Sequence, residues 1–149
     1  MSLKERVQED MKAAMRSGQK DRLGTVRLIL AAIKQREVDE RIVLDDAQVI
    51  AVLEKMGKQR RESITQFEAG GRSDLVAKEN AELAVISAYM PTQLSDAELD
   101  SLINDAITET GAATIKDMGK VMGLIKKKAQ GRTDMAAVGT RIKARLSPS

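Results

Sequence analysis

The sequence predicts an all-α protein, and three observations support that prediction. Apolar residues recur at helical spacings of three and four along most of the 149-residue chain. Capping residues precede most of these segments and glycines follow several of them. Aromatic residues are limited to Phe67 and Tyr89, so the core must be aliphatic, which suits helix packing better than a β-sandwich.

The first two helices are marked by their ends. Ser2 with Glu5 forms a capping box for the first helix, and Gly18 is expected to stop it. Asp21 is predicted to cap the second helix, which runs to about Glu40. Each segment carries an apolar stripe, so both helices are expected to bury one side.

Two further helices precede a proline. Asp45 opens a long third helix that Gly70 ends, and the fourth runs from Ser73 until Pro91 breaks it. Four consecutive amphipathic helices indicate an antiparallel bundle, which we place at residues 1–90.

Three shorter helices follow the proline-containing connector. Ser95 is predicted to cap the first, Thr114 the second, and Thr133 or Asp134 the third. The connector is the best candidate for a domain boundary, because proline and polar residues interrupt the helical pattern there. The sequence therefore predicts a small three-helix tail domain at residues 95–149.

The composition excludes several kinds of chemistry. The chain has no cysteine and no histidine, which removes thiol chemistry, the usual zinc sites and histidine base catalysis. Carboxylates fall at helix caps and surfaces, and there is no serine nucleophile elbow. We therefore expect no independent catalysis, no cofactor and no metal. The chain shows no signal peptide and no apolar run that could span a bilayer, so a soluble cytoplasmic protein without a membrane partner is expected.

Charge is unevenly distributed. Residues 91–111 hold five acidic side chains and no basic one, whereas residues 112–149 hold nine basic and two acidic ones, a net charge of +7. A basic block of this kind is typical of proteins that bind an anionic partner. A solvated surface that binds nothing would have the same composition.

The sixth predicted helix combines lysines with two interior glycines. Each interior glycine costs roughly 1 kcal/mol relative to alanine, so close approach on that side is indicated. A helical wheel puts Ile115, Met118, Val121, Met122 and Ile125 on the other, buried side. Either a phosphate backbone approaches the glycines, or a neighbouring helix packs there while the lysines extend into water. The predicted nucleic-acid-binding residues are Lys116, Gly119, Lys120, Gly123, Lys126, Lys127, Arg132, Lys143 and Arg145.

The tail contains no aromatic residue that could stack on a base, which disfavours reading of a single strand. Side chains also read the grooves of double-stranded RNA poorly. The remaining mode is recognition of backbone and shape, which suits a folded RNA such as tRNA.

The segment Asp117–Gly123 with Gly131-Arg132, preceded by Tyr89–Leu94, resembles the GatB/YqeY family. Upstream segments, including Arg27–Lys34 and Lys58–Ser63, are similar to the amino-terminal half of the same family. The resemblance covers nearly the whole chain and is closest to free-standing YqeY-type proteins. It implies a tail similar to the tRNA-engaging tail of the glutamyl-tRNA amidotransferase B subunit.

The resemblance does not imply that this chain performs amide transfer, because the large catalytic cradle is absent. The chain also has Thr133-Asp134-Met135 where we expect Ala-Asp-Gly, and Gly139 where a later asparagine is expected. Three hypotheses follow: a non-catalytic tRNA-binding accessory protein, a protein-interaction module of a tRNA-modifying or amidotransferase complex, and an auxiliary of carbon–nitrogen ligase activity with glutamine as amido donor.

Overall fold

The computed structural model describes residues 1–147 and confirms the all-α prediction. Within that range the chain forms seven α-helices and one 3₁₀ turn, and no strand. Contacts divide it into two units, Met1–Met90 and Pro91–Ser149. The predicted domains, 1–90 and 95–149, remain a prediction, and the last two positions of the second lie outside the described residues.

The amino-terminal unit packs four helices around one aliphatic core. The second, third and fourth helices contribute Ile29, Ile33, Leu53 and Ile86, which are almost fully buried in this core. Its helices are α1 (Leu3–Ser17), α2 (Lys20–Glu40), α3 (Asp46–Ala69) and α4 (Ser73–Ser87).

Most of the predicted helix ends in this unit are confirmed. Ser2 caps α1, and Gly18 ends it in the left-handed conformation at φ +70°. The predicted cap of α2 is wrong, because Gln19 occupies the cap and the helix begins at Lys20. The turn after α1 closes in two residues, so Asp21 falls in the first turn of α2, where a carboxylate still favours the positive helix end.

Polar contacts also join helices of the bundle. The Tyr89 hydroxyl donates to the Asp10 carboxylate at 2.6 Å, and the Arg6 guanidinium lies 5.2 Å from the centre of the tyrosine ring. Burial and the nearby Asp10 charge raise the pKa of Tyr89 to about 12. On α3, Arg60 pairs with Glu82 at 2.8 Å and with Glu79 at 3.5 Å, so this arginine belongs to the bundle.

The tail unit has its own aliphatic core. Leu99, Ile103, Val121, Ile125 and Ile142 are buried together. The unit contains α5 (Asp96–Thr110), a 3₁₀ turn (Ile115–Asp117), α6 (Met118–Ala129) and α7 (Met135–Leu146).

The connector before α5 is pinned to the turn between α6 and α7. The Leu94 amide donates to the Arg132 carbonyl at 2.7 Å, and the Gln93 side-chain amide donates to the Gly131 carbonyl at 2.7 Å. Within the described chain, no helix combines the length and apolar character needed to cross a membrane.

Candidate nucleic-acid interface

The start of α6 is fixed by the carboxylate of Asp117. It accepts hydrogen bonds from the amides of Ala113 at 3.0 Å and Thr114 at 3.2 Å. These bonds, and more weakly the charge of Lys120, hold the pKa of Asp117 below its ordinary value. Thr114 and Asp117 form the predicted capping box, but it encloses a 3₁₀ turn and α6 proper begins at Met118.

One side of α6 is buried, as the apolar spacing predicts. Val121, Ile125 and Ala129 are inaccessible, while Met118 and Met122 pack partly against the tail core. The expectation that Ile115 shares this side is wrong, because its side chain is 41% exposed. The 3₁₀ turn advances about 120° per residue rather than 100°, so the α-helical wheel misplaces residues before Met118.

Four predicted residues recur at helical spacings on the opposite side of α6, and a fifth, Lys116, lies in the 3₁₀ turn that precedes the helix. All five are exposed to solvent. We call them the lysine–glycine face: Lys116, Gly119, Lys120, Gly123 and Lys127. Lys126 is also exposed and lies at the edge of this face.

The two glycines of this face do not pack against the protein. A Cβ atom built on Gly119 or Gly123 would have no atom within 4 Å, apart from the helix's own backbone. Gly139 on α7 is different, because a Cβ there would lie 3.4 Å from the Met118 methyl carbon. Gly139 therefore packs against α6, whereas the Cβ positions of Gly119 and Gly123 face open space.

The lysines of α6 have no carboxylate partner on that face. Across residues 1–147, no ion pair involves Lys116, Lys120, Lys126 or Lys127. Asp117 is the acidic group that influences Lys120, and its own oxygen is occupied by two backbone amides. The face therefore presents uncompensated positive charge beside bare backbone.

Several other basic residues of the tail form ion pairs with carboxylates of α5. Arg141 on α7 contacts Asp100 at 2.9 Å and Asp96 at 2.6 Å, both on α5. Arg145 lies 3.8 Å from the same Asp100, and Lys128 contacts Glu109 at 3.0 Å. The acidic residues of α5 thus neutralise part of the basic block. The sequence contained a signal for this pairing, because the two aspartates on α5 and the two arginines on α7 are each four residues apart.

Arg132 and Lys143 complete the predicted set. The Arg132 Nε donates to the Thr92 carbonyl at 2.9 Å, so this side chain holds the connector and is not part of the lysine–glycine face. Lys143 is exposed and follows Gly139 by four residues, which puts it on the side of α7 that contacts α6. Arg145 lies on the side that faces α5.

A shallow groove of about 440 Å³ lies between α5 and the end of α6. Its floor includes Leu94 and Leu102, and its rim carries Glu98 and Asp105 as well as Lys128. Because the rim charges are of both signs, the groove is a poorer anion site than the lysine–glycine face. Among the residues that the structure describes, no group of three acidic side chains is placed to hold a metal.

A family profile that matches nearly the whole chain shows which family it belongs to. The profile of the Yqey-like protein family matches residues 4–146. The chain belongs to the YqeY-like family. This finding confirms that part of the resemblance seen in the sequence, while the likeness of the tail to the amidotransferase B subunit remains a prediction.

Several curated relatives are fungal proteins named "Altered inheritance of mitochondria protein 41, mitochondrial". The Pyrenophora tritici-repentis protein is 34% identical over 132 residues, which cover 85% of this chain and 71% of that protein. The Eremothecium gossypii protein is 41% identical over 85 residues, or 56% and 46% of the two chains. The Saccharomyces cerevisiae protein is 31% identical over 127 residues, or 80% and 68%. The chain thus spans about half to seven tenths of these relatives.

The predicted cytoplasmic location is contradicted by these names, which place the relatives in mitochondria. The prediction rested on composition and on the absence of apolar segments. Those features do not distinguish one aqueous compartment from another, because the same surface chemistry serves in each.

Proposed function

We propose that the tail unit binds a folded RNA such as tRNA through the lysine–glycine face, and that the protein acts as a non-catalytic accessory factor. The observation that supports this proposal is the combination of unpaired lysines with two glycines that face open space. Lysine ammonium groups supply the charge that binds phosphate, and the absent side chains allow a backbone to come close.

The energetics of the glycines support an external partner. Two interior glycines weaken a helix by roughly 1 kcal/mol each relative to alanine. Within the tail unit this cost is not offset by packing, since nothing approaches the Cβ positions of Gly119 or Gly123. A bound partner that fills the space over both glycines would offset it.

A folded RNA fits the face better than a single strand does. Both aromatic residues of the chain, Phe67 and Tyr89, belong to the amino-terminal unit, so the tail offers no ring for base stacking. Recognition then rests on phosphates and shape. The resemblance of the tail to the tRNA-engaging amidotransferase tail favours tRNA, and the names of the relatives make mitochondrial tRNA a suitable substrate to include.

One observation favours a second candidate, a protein partner. Ile115 is 41% exposed beside Lys116, and an apolar side chain there would suit a helix that docks over the glycines. That partner could belong to a tRNA-modifying or amidotransferase complex that uses glutamine as amido donor. If the partner is a protein, its binding should depend only weakly on salt. The chain should then stimulate a partner amidotransferase and have no activity by itself.

The test is binding of the full chain to bulk tRNA, to mitochondrial tRNA and to a DNA duplex of equal charge across a salt series. Each phosphate that is neutralised should steepen the log–log salt slope by roughly 0.7–0.9. We expect preferential tRNA binding that is lost when Lys116, Lys120 and Lys127 are all replaced by alanine.

Two matched controls accompany this test. Replacement of Lys55, Lys58 and Lys78, which are exposed in the amino-terminal unit, removes the same charge and should leave binding nearly unchanged. Gly119→Leu should abolish binding, whereas Gly24→Leu, at another open helical glycine, should not. No tRNA binding at low salt, or equal losses in both lysine triples, would refute the RNA proposal.

A further inference from the structure

Helix α2 carries apolar residues on two sides, of which only one is buried. Val26, Ile29 and Ile33 belong to the core of the bundle. On the opposite side, Leu28 is 45% exposed and Val38 is 60% exposed. A helix that is apolar on both sides is normally covered on both. The second side of α2 is therefore a candidate interaction surface.

The exposed residues of this side follow a heptad pattern. Their spacings alternate between four and three, as at the a and d positions of a coiled coil. The pattern continues past the helix end into an exposed apolar turn that also contains Val43. All six positions are exposed, and we call them the heptad face: Gly24, Leu28, Ala31, Gln35, Val38 and Ile42.

A line of basic residues borders the heptad face. Lys20, Arg27 and Lys34 are spaced by seven and fall at successive g positions, and Arg41 follows just after the helix ends at Glu40. All four are exposed, and across residues 1–147 none forms an ion pair. Arg41 adopts a left-handed conformation, φ 55°, which usually favours glycine or asparagine.

We infer that α2 binds an amphipathic helix of another protein whose flanking positions are acidic. Small residues at Gly24 and Ala31 allow a second helix to approach closely, and Leu28 and Val38 would insert between its side chains. The basic line spans about 30 Å, enough to pair with several carboxylates of a helix of similar length. Gln35, at an a position, would fix the register of the pair.

The charges argue against a second copy of this chain as the partner. In an antiparallel pair, g positions meet g positions, which would set Arg27 and Lys34 against like charges. In a parallel pair, g meets e, and the e positions are Thr25, Ala32 and Asp39, of which only the last is acidic. Nucleic acid would satisfy the basic line but would leave Leu28 and Val38 uncovered.

The test uses the full chain and a synthetic 21-residue helical peptide with leucine at a and d and glutamate at e and g. A matched peptide carries lysine at e and g. We expect the acidic peptide to bind at least tenfold more tightly, with amide NMR shifts concentrated on α2. In the variant K20E/R27E/K34E the preference should reverse, so that the basic peptide binds instead.

A second charge-reversed variant, K55E/K58E/K78E, alters net charge equally and should keep the preference of the unmodified protein. Because all of these side chains are exposed, thermal unfolding should show that both variants remain folded. Failure of the acidic peptide to bind, or shifts centred away from α2, would overturn the inference. So would binding of the unmodified chain to phosphatidylserine vesicles, lost in K20E/R27E/K34E, without binding of the acidic peptide.

Discussion

Helices α6 and α7 look alike in the sequence, since both are short, apolar on one side and basic toward the end. Their structural surroundings differ. Within the described residues, three exposed lysines of α6 form no ion pair (Lys120, Lys126 and Lys127), whereas Arg141 and Arg145 on α7 face Asp96 and Asp100 of α5. A run of basic residues in the sequence therefore does not by itself predict an anion-binding site, because acidic residues on a neighbouring helix can pair with it.

The largest expected effect separates these two helices by RNA affinity. The double variants K120A/K127A and R141A/R145A each remove two positive charges. At about 0.1 M salt, loss of two phosphate contacts should weaken tRNA binding by roughly 25- to 60-fold, because each contact contributes about 0.7–0.9 to the log–log salt slope and 0.1 M lies one decade below 1 M. The α7 variant should change affinity by less than about threefold. Fluorescence anisotropy at that salt concentration measures both, and equal losses would remove the distinction.

The next largest expected effect is on stability, when the glycines of α6 and α7 are replaced by alanine. Gly119→Ala and Gly123→Ala should each raise the free energy of unfolding of the tail by up to about 1 kcal/mol, because alanine favours helix and the space is open. Gly139→Ala should gain less, because its methyl would lie 3.4 Å from the end of the Met118 side chain, which must shift slightly to admit it. Urea unfolding followed by circular dichroism distinguishes them, and equal gains at all three glycines would contradict this account.

The stability role of the α7 arginines is expected to be smaller. The variant R141A/R145A should lower the free energy of unfolding only slightly, since the pairs with α5 are partly exposed and therefore weak. The variant K120A/K127A should not lower it, because these lysines have no partner to lose. The same urea experiment measures both, and 1 M salt should reduce the difference between them.

The smallest effect concerns Asp117. Its pKa is lowered in the folded state, so its contribution to stability is present above the ordinary carboxyl range and is lost as pH falls through the folded pKa. Asp117→Asn should reduce this acid-dependent loss. It should also strengthen tRNA binding by a few-fold, because it removes a negative charge beside Lys120. Unfolding measured between about pH 2 and pH 5 tests the first point, and a steeper loss in the variant would contradict it.

Local sequence signals predicted most of the fold. Ser2, Asp45 and Ser95 cap helices as expected, since a capping side chain bonds to a backbone amide only two or three residues away. Gly18 and Gly111 end helices in the left-handed conformation, which glycine adopts without steric cost. These contacts are local, so spacing along the chain suffices to identify them.

The sequence places Gly119, Lys120, Gly123 and Lys127 on one side of a single helix and Lys116 just before it, and their role as an interface stays a prediction. It could not show that Arg132 holds the connector, that Arg145 faces Asp100, or that Ile115 is exposed. Those outcomes depend on which helices lie side by side and on a 3₁₀ turn that alters the angular register.

The sequence alone determined the helices, most of their ends and most of the apolar side of each one, because these follow from contacts within a few residues. Tertiary structure alone decided which charges remain available and which glycines remain open. Whether a basic side chain meets a carboxylate, or a glycine meets a methionine as Gly139 does, depends on residues far apart in the chain and brought together only by packing.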